Sequence, residues 1–404
     1  MKILFLSNSY PENLRNRLSA NSKVGLNNAV NTFQSAFIKG LIENNANFEV
    51  LCFPSLGTFP INYKKMRVSG GDYIFEGEKI GESISYCALP ILKNISIRRK
   101  IYKLLKNKIV TTNETLVVVT YNLSSYIIEP LTKLKRQYPQ LIICPIVTDL
   151  IDEFFNPIYH RSLLKRIQGK LEMKSIYNGY KYIDKFVLLS RSMQEKIPEA
   201  IGHSIVVEGI HLGKCYQYKK KNTELKTLLY TGALAAHACI NELVDAFMMT
   251  SNKNYRLVIC GSGELATYIN NKQKDDSRII FKGLVSRDDA VYLQQNATAV
   301  INPRKPSISL TKYSFPSKTM EYLASGTPMI GYKLDGIPDE YDQYMYIVNG
   351  ADTIDLAKTI DEVLSLNEIE LQQKAEKASD FIQNNKNSKI QVKKIIDFLE
   401  DKKI

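Results

Sequence analysis

The chain has 404 residues, 44% of them hydrophobic and 24% charged, an ordinary globular composition that excludes a disordered chain. That length exceeds what one hydrophobic core organises, so two domains of roughly 200 residues each are expected. The formal charge of +13 implies an anionic partner, but charge alone does not separate nucleic acid, membrane and phosphorylated metabolite.

Short apolar, β-branched runs alternate with longer stretches of helical period, the pattern of parallel sheets covered by helices. KILFL (2–6) comes first. It follows Met1 with no charged leader and no long apolar stretch, so no signal peptide is expected. A long loop, Asn8 to Asn27, leads to a helix from about Asn28 to Glu43, with Val30, Phe33, Phe37 and Leu41 on one face. FEVLCF (48–53) is the next strand.

Lys93 to Lys108 carries seven Lys or Arg and no acid, with Ile97, Ile101, Leu104 and Leu105 at helical spacing. This is a basic amphipathic helix, suited to an anionic membrane surface. The alternative is an ordinary helix whose apolar stripe faces its own domain. A second basic stretch, Arg161 to Lys174, places Lys165, Arg166 and Lys170 beside Leu163, Leu164, Ile167 and Leu171, with the same two readings open.

Further strands are expected at 116–121, 141–147, 185–190 and 204–207. The lysine-rich YQYKKKNTELK (216–226) reads as a linker, dividing the chain into domains at 1–215 and 216–385. A second strand set follows at 228–232, 255–261, 279–283, 298–303, 327–332 and 345–348. A closing helix at about 386–404 could pack back on the first domain. No run approaches 18 apolar residues, so no membrane span is expected.

The six cysteines show no C-x-x-C pair and read as buried reduced thiols. His160, His203, His211 and His237 show no ligand spacing, so no metal is expected. Ligands of open α/β sheets bind beyond the carboxyl ends of the strands. There the segment 302–330 supplies Arg304, Lys305, Lys312 and Lys318 before a helix beginning around Pro316 to Lys318, with Ser317 as a candidate cap. Such a helix start beside a lysine suits a diphosphate. Glu321, one turn on, would be repelled by phosphate unless it accepts hydrogen bonds from a ribose diol.

FPSKTMEYLASGTPMI (315–330) resembles the signature of retaining GT-B glycosyltransferases of family 4. The resemblance implies two Rossmann-like domains facing across a cleft, and transfer of a sugar from a nucleotide-sugar donor to a glycan or polyprenyl-linked acceptor with retention. It further implies bacterial capsule, O-antigen or exopolysaccharide synthesis by a cytoplasmic enzyme peripheral on the inner face of the membrane. No metal and no cofactor beyond the nucleotide sugar follow from it.

By position Glu321 matches the family's ribose-holding glutamate, while Tyr313 stands where a first glutamate contacts the donor sugar. Ser314, Phe315, Ser317 and Thr319 fall in the same donor-binding segment. Ala233 and Ala238 replace the arginine and lysine that usually grip the phosphates, which passes that role to Lys318 and Arg304. YTGALAAHACINELVDAF (230–247), LVICGSGE (257–264) and IIFKGLVSRDD (279–289) resemble further donor-side segments, adding Gly232, Gly261, Gly263, Leu284 and Val285. In the first domain Asp149, with Thr148, falls where the family faces the reacting sugar, and Gly25 where backbone approaches phosphate or acceptor. The departures leave a non-catalytic partner subunit and a sugar-nucleotide epimerase of the same fold as alternatives. A nucleic-acid binder would share the charge, but no recognised module is present.

Overall fold

A computed structural model describes residues 1–150, 163–219, 224–308 and 310–401. His160, Arg161, the side chains of Leu163, Leu164 and Lys165, and the centre of the lysine-rich linker (220–223) lie outside the described residues. The chain divides into two compact units. Met1–Leu212 with Ser388–Ile404 forms unit 1, and Gly213–Asn387 forms unit 2.

Unit 1 is built on β1 (Lys2–Ser7), α1 (Glu12–Asn21), α2 (Asn28–Glu43), β2 (Phe48–Cys52), β3 (Arg67–Val68), β4 (Gly71–Phe75), β5 (Glu78–Ser83), β6 (Tyr86–Cys87), α3 (Leu92–Thr111), β7 (Leu116–Tyr121), α4 (Ser125–Gln137), β8 (Ile142–Val147), α5 (Leu163–Tyr180), β9 (Phe186–Leu188) and β10 (Ser204–Val206). Its main sheet runs β10-β9-β8-β7-β1-β2-β5-β4, parallel except where β4 returns beside β5. Every residue of β7 is buried, as expected of a parallel strand covered on both faces. Strand alternation sorts the core into two layers. Leu4 and Leu6 meet Leu14, Leu18, Ile101 and Leu131 on one face. Ile3 and Phe5 meet Phe37, Leu41, Val392 and Ile395 on the other.

Three features differ from the sequence reading. The expected long loop 8–27 contains α1, anchored by Leu14 and Leu18, both buried one helical turn apart. The hairpin β4–β5 and the small antiparallel pair β3–β6 were not anticipated. The apolar stripe of the first basic stretch faces inward: Ile97, Ile101 and Leu105 are buried in unit 1's core and Leu104 packs against it. Of its cations, Arg98 pairs with Glu129, Lys108 with Glu49, and Lys93 reaches the carbonyl of Leu56. Insertion of that stripe into a membrane is therefore corrected, because the side chains are already spent on the domain's own core. Arg99, Lys103 and Lys106 remain exposed. In the second stretch α5 does the opposite, leaving Ile167 48% and Leu171 64% exposed.

Unit 2 contains β11 (Lys226–Thr231), α6 (Ile240–Met249), β12 (Tyr255–Cys260), α7 (Ala266–Asp275), β13 (Ile279–Gly283), α8 (Arg287–Asn296), β14 (Ala299–Asn302), α9 (Leu310–Tyr313), α10 (Ser317–Leu323), β15 (Met329–Gly331), β16 (Tyr346–Ile347), α11 (Thr353–Ser365) and α12 (Glu368–Asn385). Its strands are all parallel in the order β13-β12-β11-β14-β15-β16, the doubly wound arrangement of dinucleotide-binding sheets.

The last helix, α13 (Ser388–Leu399), belongs to unit 1 and lies on α2. Gly40 permits the approach, since a Cβ there would come within 2.3 Å of Val392 Cγ2. Asn44 Nδ2 donates to the carbonyl of Lys389 (2.9 Å), Gln391 Nε2 to that of Gly209 (2.8 Å) and Lys185 Nζ to that of Phe398 (2.6 Å). All six cysteines are free thiols. Among the described residues no helix is long and apolar enough to cross a membrane.

Candidate functional site

Where strand order reverses, the loops leaving two neighbouring carboxyl ends diverge and leave a crevice. In unit 2 the reversal lies between β11 and β14, so Gly232 and Arg304 flank it. Lys318 on α10 joins them, and a Cβ at position 232 would come within 2.5 Å of Lys318 Cε and 2.6 Å of the Tyr230 hydroxyl. Glycine is thus what lets the lysine arm lie across the end of β11. Burial holds the Lys318 amine below the usual lysine range, Glu321 opposes that, and the charge of Arg304 adds to it. Burial likewise lowers the Arg304 guanidinium. Among the described residues neither cation forms a salt bridge. Two partly desolvated cations without an acid between them make a site for an anion. Tyr230, whose hydroxyl donates to the carbonyl of Ala233 (2.8 Å), is kept neutral by burial, which pushes its pKa up to about 12.

Glu321 is exposed and held from behind. Gln294, only 1% exposed, donates from Nε2 to Glu321 Oε1 (2.7 Å) and to Thr231 Oγ1 (3.1 Å), and its carbonyl accepts from Thr327 Oγ1 (2.7 Å). The Tyr322 hydroxyl accepts from the Thr231 N–H (2.9 Å) and donates to the Thr231 carbonyl (3.0 Å). These bonds tie α8, α10 and the end of β11 into one platform, leaving the second carboxylate oxygen to a ligand. Gly326, two residues past the C-cap Ala324, has φ +68°, and a Cβ there would come within 2.5 Å of the carbonyls of Tyr216 and Gln217.

Other expected donor-side residues fall in different places. Ser317 is the first residue of α10 rather than its cap. Pro316 occupies the cap position and no side chain caps the helix. With seven residues, α10 adds little dipole, so the anion attraction belongs to Lys318 and Arg304. Thr319 is fully buried, so its side chain supports α10 from beneath instead of lining the surface. Phe315 is also buried, packed on Tyr341 with ring centroids 5.4 Å apart. Tyr313 and Ser314 are half-buried on the approach to α10. Leu284 (79% exposed) and Val285 follow β13.

Gly261 and Gly263 have a packing reason. A Cβ on Gly261 would lie 1.7 Å from the Gly232 carbonyl oxygen, and one on Gly263 would lie 2.4 Å from that of Leu234. The loops after β11 and β12 are laced by Gly232 N–H to the Cys260 carbonyl (2.8 Å) and Leu234 N–H to that of Ser262 (3.0 Å). His237, read from sequence as a surface or structural residue and not a metal ligand, stands near this crevice. Burial lowers its pKa, the Arg304 charge lowers it further, and Glu264 opposes both.

In unit 1 the strand order reverses between β1 and β7. Asp149 is exposed just beyond β8. Thr148 Oγ1 donates to Asp149 Oδ2 (2.9 Å), and Asn122 Nδ2 donates to Thr148 Oγ1 (2.6 Å) and more weakly to Asp149 Oδ2 (3.4 Å). Asn122 accepts the Thr148 N–H at Oδ1 (2.7 Å). Its φ of +57° is a conformation Asn tolerates. No motif marked it. The loop after β1 is held by Ser7 Oγ to Gln34 Oε1 (2.9 Å) and Gln34 Nε2 to Asn8 Oδ1 (2.6 Å). Gly25 has φ +76° and open space around it. Among the described residues no cluster of His, Cys, Asp and Glu could hold a metal ion.

Residues 217–388, essentially unit 2, match the family model described as glycosyl transferases group 1. No curated protein matches the sequence closely enough to count as a relative. Solved structures resemble the whole chain in fold. The lipopolysaccharide outer core galactosyltransferase WaaB is 16% identical with a TM-score of 0.58, each chain covered over 99%. Sucrose-phosphate synthase from Thermosynechococcus elongatus is 12% identical with a TM-score of 0.64, over 99% of this chain and 98% of that one. HepE of Anabaena in complex with UDP is 12% identical with a TM-score of 0.61, over 99% and 100%. The chain has the GT-B fold of two Rossmann-like domains, and its second unit carries the glycosyl transferases group 1 domain.

Proposed function

We propose that this chain is a metal-independent glycosyltransferase that moves a sugar, with retention, from a nucleotide diphosphate donor to a glycan or polyprenyl-linked acceptor. The observation that carries this reading is the pair Lys318 and Arg304, half-buried at unit 2's strand-order reversal and, among the described residues, without a salt bridge, beside a Glu321 carboxylate fixed by Gln294. The cations take the diphosphate, and the free oxygen of Glu321 accepts from the ribose hydroxyls. The UDP bound to HepE, which is similar in fold, is a ligand of that chemistry.

In the transfer the bond between the sugar's anomeric carbon and the diphosphate oxygen breaks, and its electron pair leaves with the diphosphate. The acceptor hydroxyl oxygen forms the new bond on the same face, and its proton passes to the departing oxygen. Lys318 and Arg304 stabilise the charge that grows there. Asp149, aimed by Asn122 and Thr148, orients hydroxyls and is not a nucleophile. Retention, and a role in bacterial surface-polysaccharide synthesis at the inner face of the membrane, rest on the resemblance of residues 315–330. Ile167 and Leu171, exposed among Arg166, Lys170 and Lys174 on α5, supply the surface for peripheral attachment.

Calorimetric titration with UDP-, GDP-, TDP- and CMP-sugars tests the reading. One of the diphosphate classes binds the wild type in preference to the monophosphate CMP-sugars, and Glu321→Ala weakens it roughly tenfold or more. Absence of binding by every donor, or affinity unchanged in the variant, overturns it.

A further inference from the structure

Segments 54–71 and 83–113 of unit 1 hold three and seven Lys or Arg respectively and not one Asp or Glu. The fold brings them together. β3 pairs with β6, the Ala88 N–H donates to the Met66 carbonyl (2.7 Å), and the Phe59 N–H donates to the Ala88 carbonyl (2.9 Å). α3 packs on β6. Between them opens a cavity of about 320 Å³ lined by Met66, Arg67, Ser85, Tyr86, Ser96 and Lys100.

Four of these side chains present hydrogen-bond donors. Arg67 and Lys100 are close enough for the guanidinium charge to add to burial in lowering the Lys100 amine, and among the described residues neither forms a salt bridge. Ser85 Oγ already accepts the Gly70 N–H (2.8 Å) and Ser96 Oγ the Cys87 N–H (3.2 Å), so each hydroxyl proton is left to donate. A structure that keeps two like charges together, with hydroxyl donors beside them and no acid, is complementary to an anion of more than one charge. A phosphoryl group fits in charge and in oxygen count, where a carboxylate would leave a cation unmatched. The cavity is larger than phosphate, and Tyr86 and the half-exposed Met66 wall it with apolar surface, which suits an ester substituent.

We propose that this groove binds a phosphoryl group carried as an ester, at a site separate from the crevice of unit 2. It goes beyond the transferase reading and uses none of its residues.

Titration of the full-length chain with inorganic phosphate, followed by ³¹P line broadening, tests the site. The Lys318→Ala variant provides a background from which unit 2's contribution has been removed. Flotation with phosphatidylcholine vesicles, with and without phosphatidic acid, forms the second arm. Arg67→Ala with Lys100→Ala weakens binding roughly tenfold or more. The charge-neutral change Ser85→Ala with Ser96→Ala weakens it several-fold, which a general attraction to basic surface would not do. Arg67→Lys with Lys100→Arg retains binding and shows that the groove is intact. Loss in the phosphate arm identifies a soluble phosphate ester as the source, and loss confined to the vesicle arm identifies a lipid headgroup. If neither arm depends on Arg67, Lys100 and the two serines, or if only the charge changes matter, the proposal is overturned.

Discussion

The two units share a topology and differ in what they place at its open end. In unit 1 the loops beyond β1 and β8 are knit by neutral groups, Ser7 with Gln34 and Asn122 with Thr148, and among the described residues just past β8 the exposed carboxylate is Asp149. In unit 2 the same kind of crevice holds two cations that form no salt bridge among the described residues, Lys318 and Arg304, and a glutamate braced by a buried amide. Strand order therefore decides where a ligand is met, and the residues just past the strands decide its charge. Unit 2 suits an anion. Unit 1 suits hydroxyls that need orienting.

Removing the cations should erase this contrast most completely. Lys318→Ala and Arg304→Ala each lower kcat roughly 100- to 1,000-fold, with a smaller change in KM, because their charge is needed most as the diphosphate leaves. Steady-state kinetics check it, and a change confined to KM assigns the residue to binding only. On the proposed reading the charged amine of Lys318 is the form that meets the diphosphate. Since burial lowers its pKa, donor affinity is full below that pKa and falls as pH rises through it, earlier than a free lysine would titrate. Lys318→Arg abolishes that alkaline loss.

Gly261→Ala should destabilise the protein by about 3 kcal/mol, read by urea unfolding, because it adds backbone strain to a collision with the Gly232 carbonyl. Gly25→Ala, with the strain but no collision, should lose only about 1 kcal/mol.

On the unit 1 side, Asp149→Asn should slow transfer roughly tenfold to a hundredfold and leave nucleotide affinity unchanged. Lost affinity would move Asp149 to the donor's chemistry. Gln294→Leu removes no ligand contact yet should weaken donor binding several-fold by freeing Glu321, and Glu321→Ala made on top of it should add less than it does alone. Additive effects in that cycle would show that Gln294 acts elsewhere.

The smallest effect is at the surface. Arg166, Lys170 and Lys174 changed to Glu should reduce flotation with anionic vesicles, each cation contributing about 1 kcal/mol near such a surface. Glu in place of Arg99, Lys103 and Lys106 should do less, because the stripe Ile97, Ile101 and Leu105 of α3 is buried in the core and its exposed apolar side chains, Leu92 and Val110, lie at opposite ends of the helix.

The parallel strands were legible because burial on both faces writes them as unbroken apolar runs, and LVVVTY at 116–121 is β7 residue for residue. α1 was not, since only Leu14 and Leu18 face the core and the rest of its sequence is polar but for the exposed Ala20. The basic stretches at 93–108 and 161–174 look alike by period. Which stripe faces inward is settled by neighbours far away in sequence, with Leu116, Leu131 and Leu134 sharing α3's core. In the crevice of unit 2 the family-like segment pointed to Lys318 and Glu321, while Gln294 had no signal. It acts through Thr231, 63 positions earlier, and through Glu321, 27 later. Asn122 was hidden in the same way.

The return of α13 to unit 1 sets the timetable of synthesis. Residues 213–387 must leave the ribosome before Val392, Ile395 and Leu399 can cover Phe37 and Leu41. At ordinary elongation rates that is a wait of roughly 10 to 35 s, during which α2 carries an uncovered apolar face. Unit 2, whose segment is continuous, can close first. The amino-terminal half of this chain therefore emerges first and is finished last, and a nascent chain stalled before Ser388 would present a chaperone with a folded second unit and an unsealed first one.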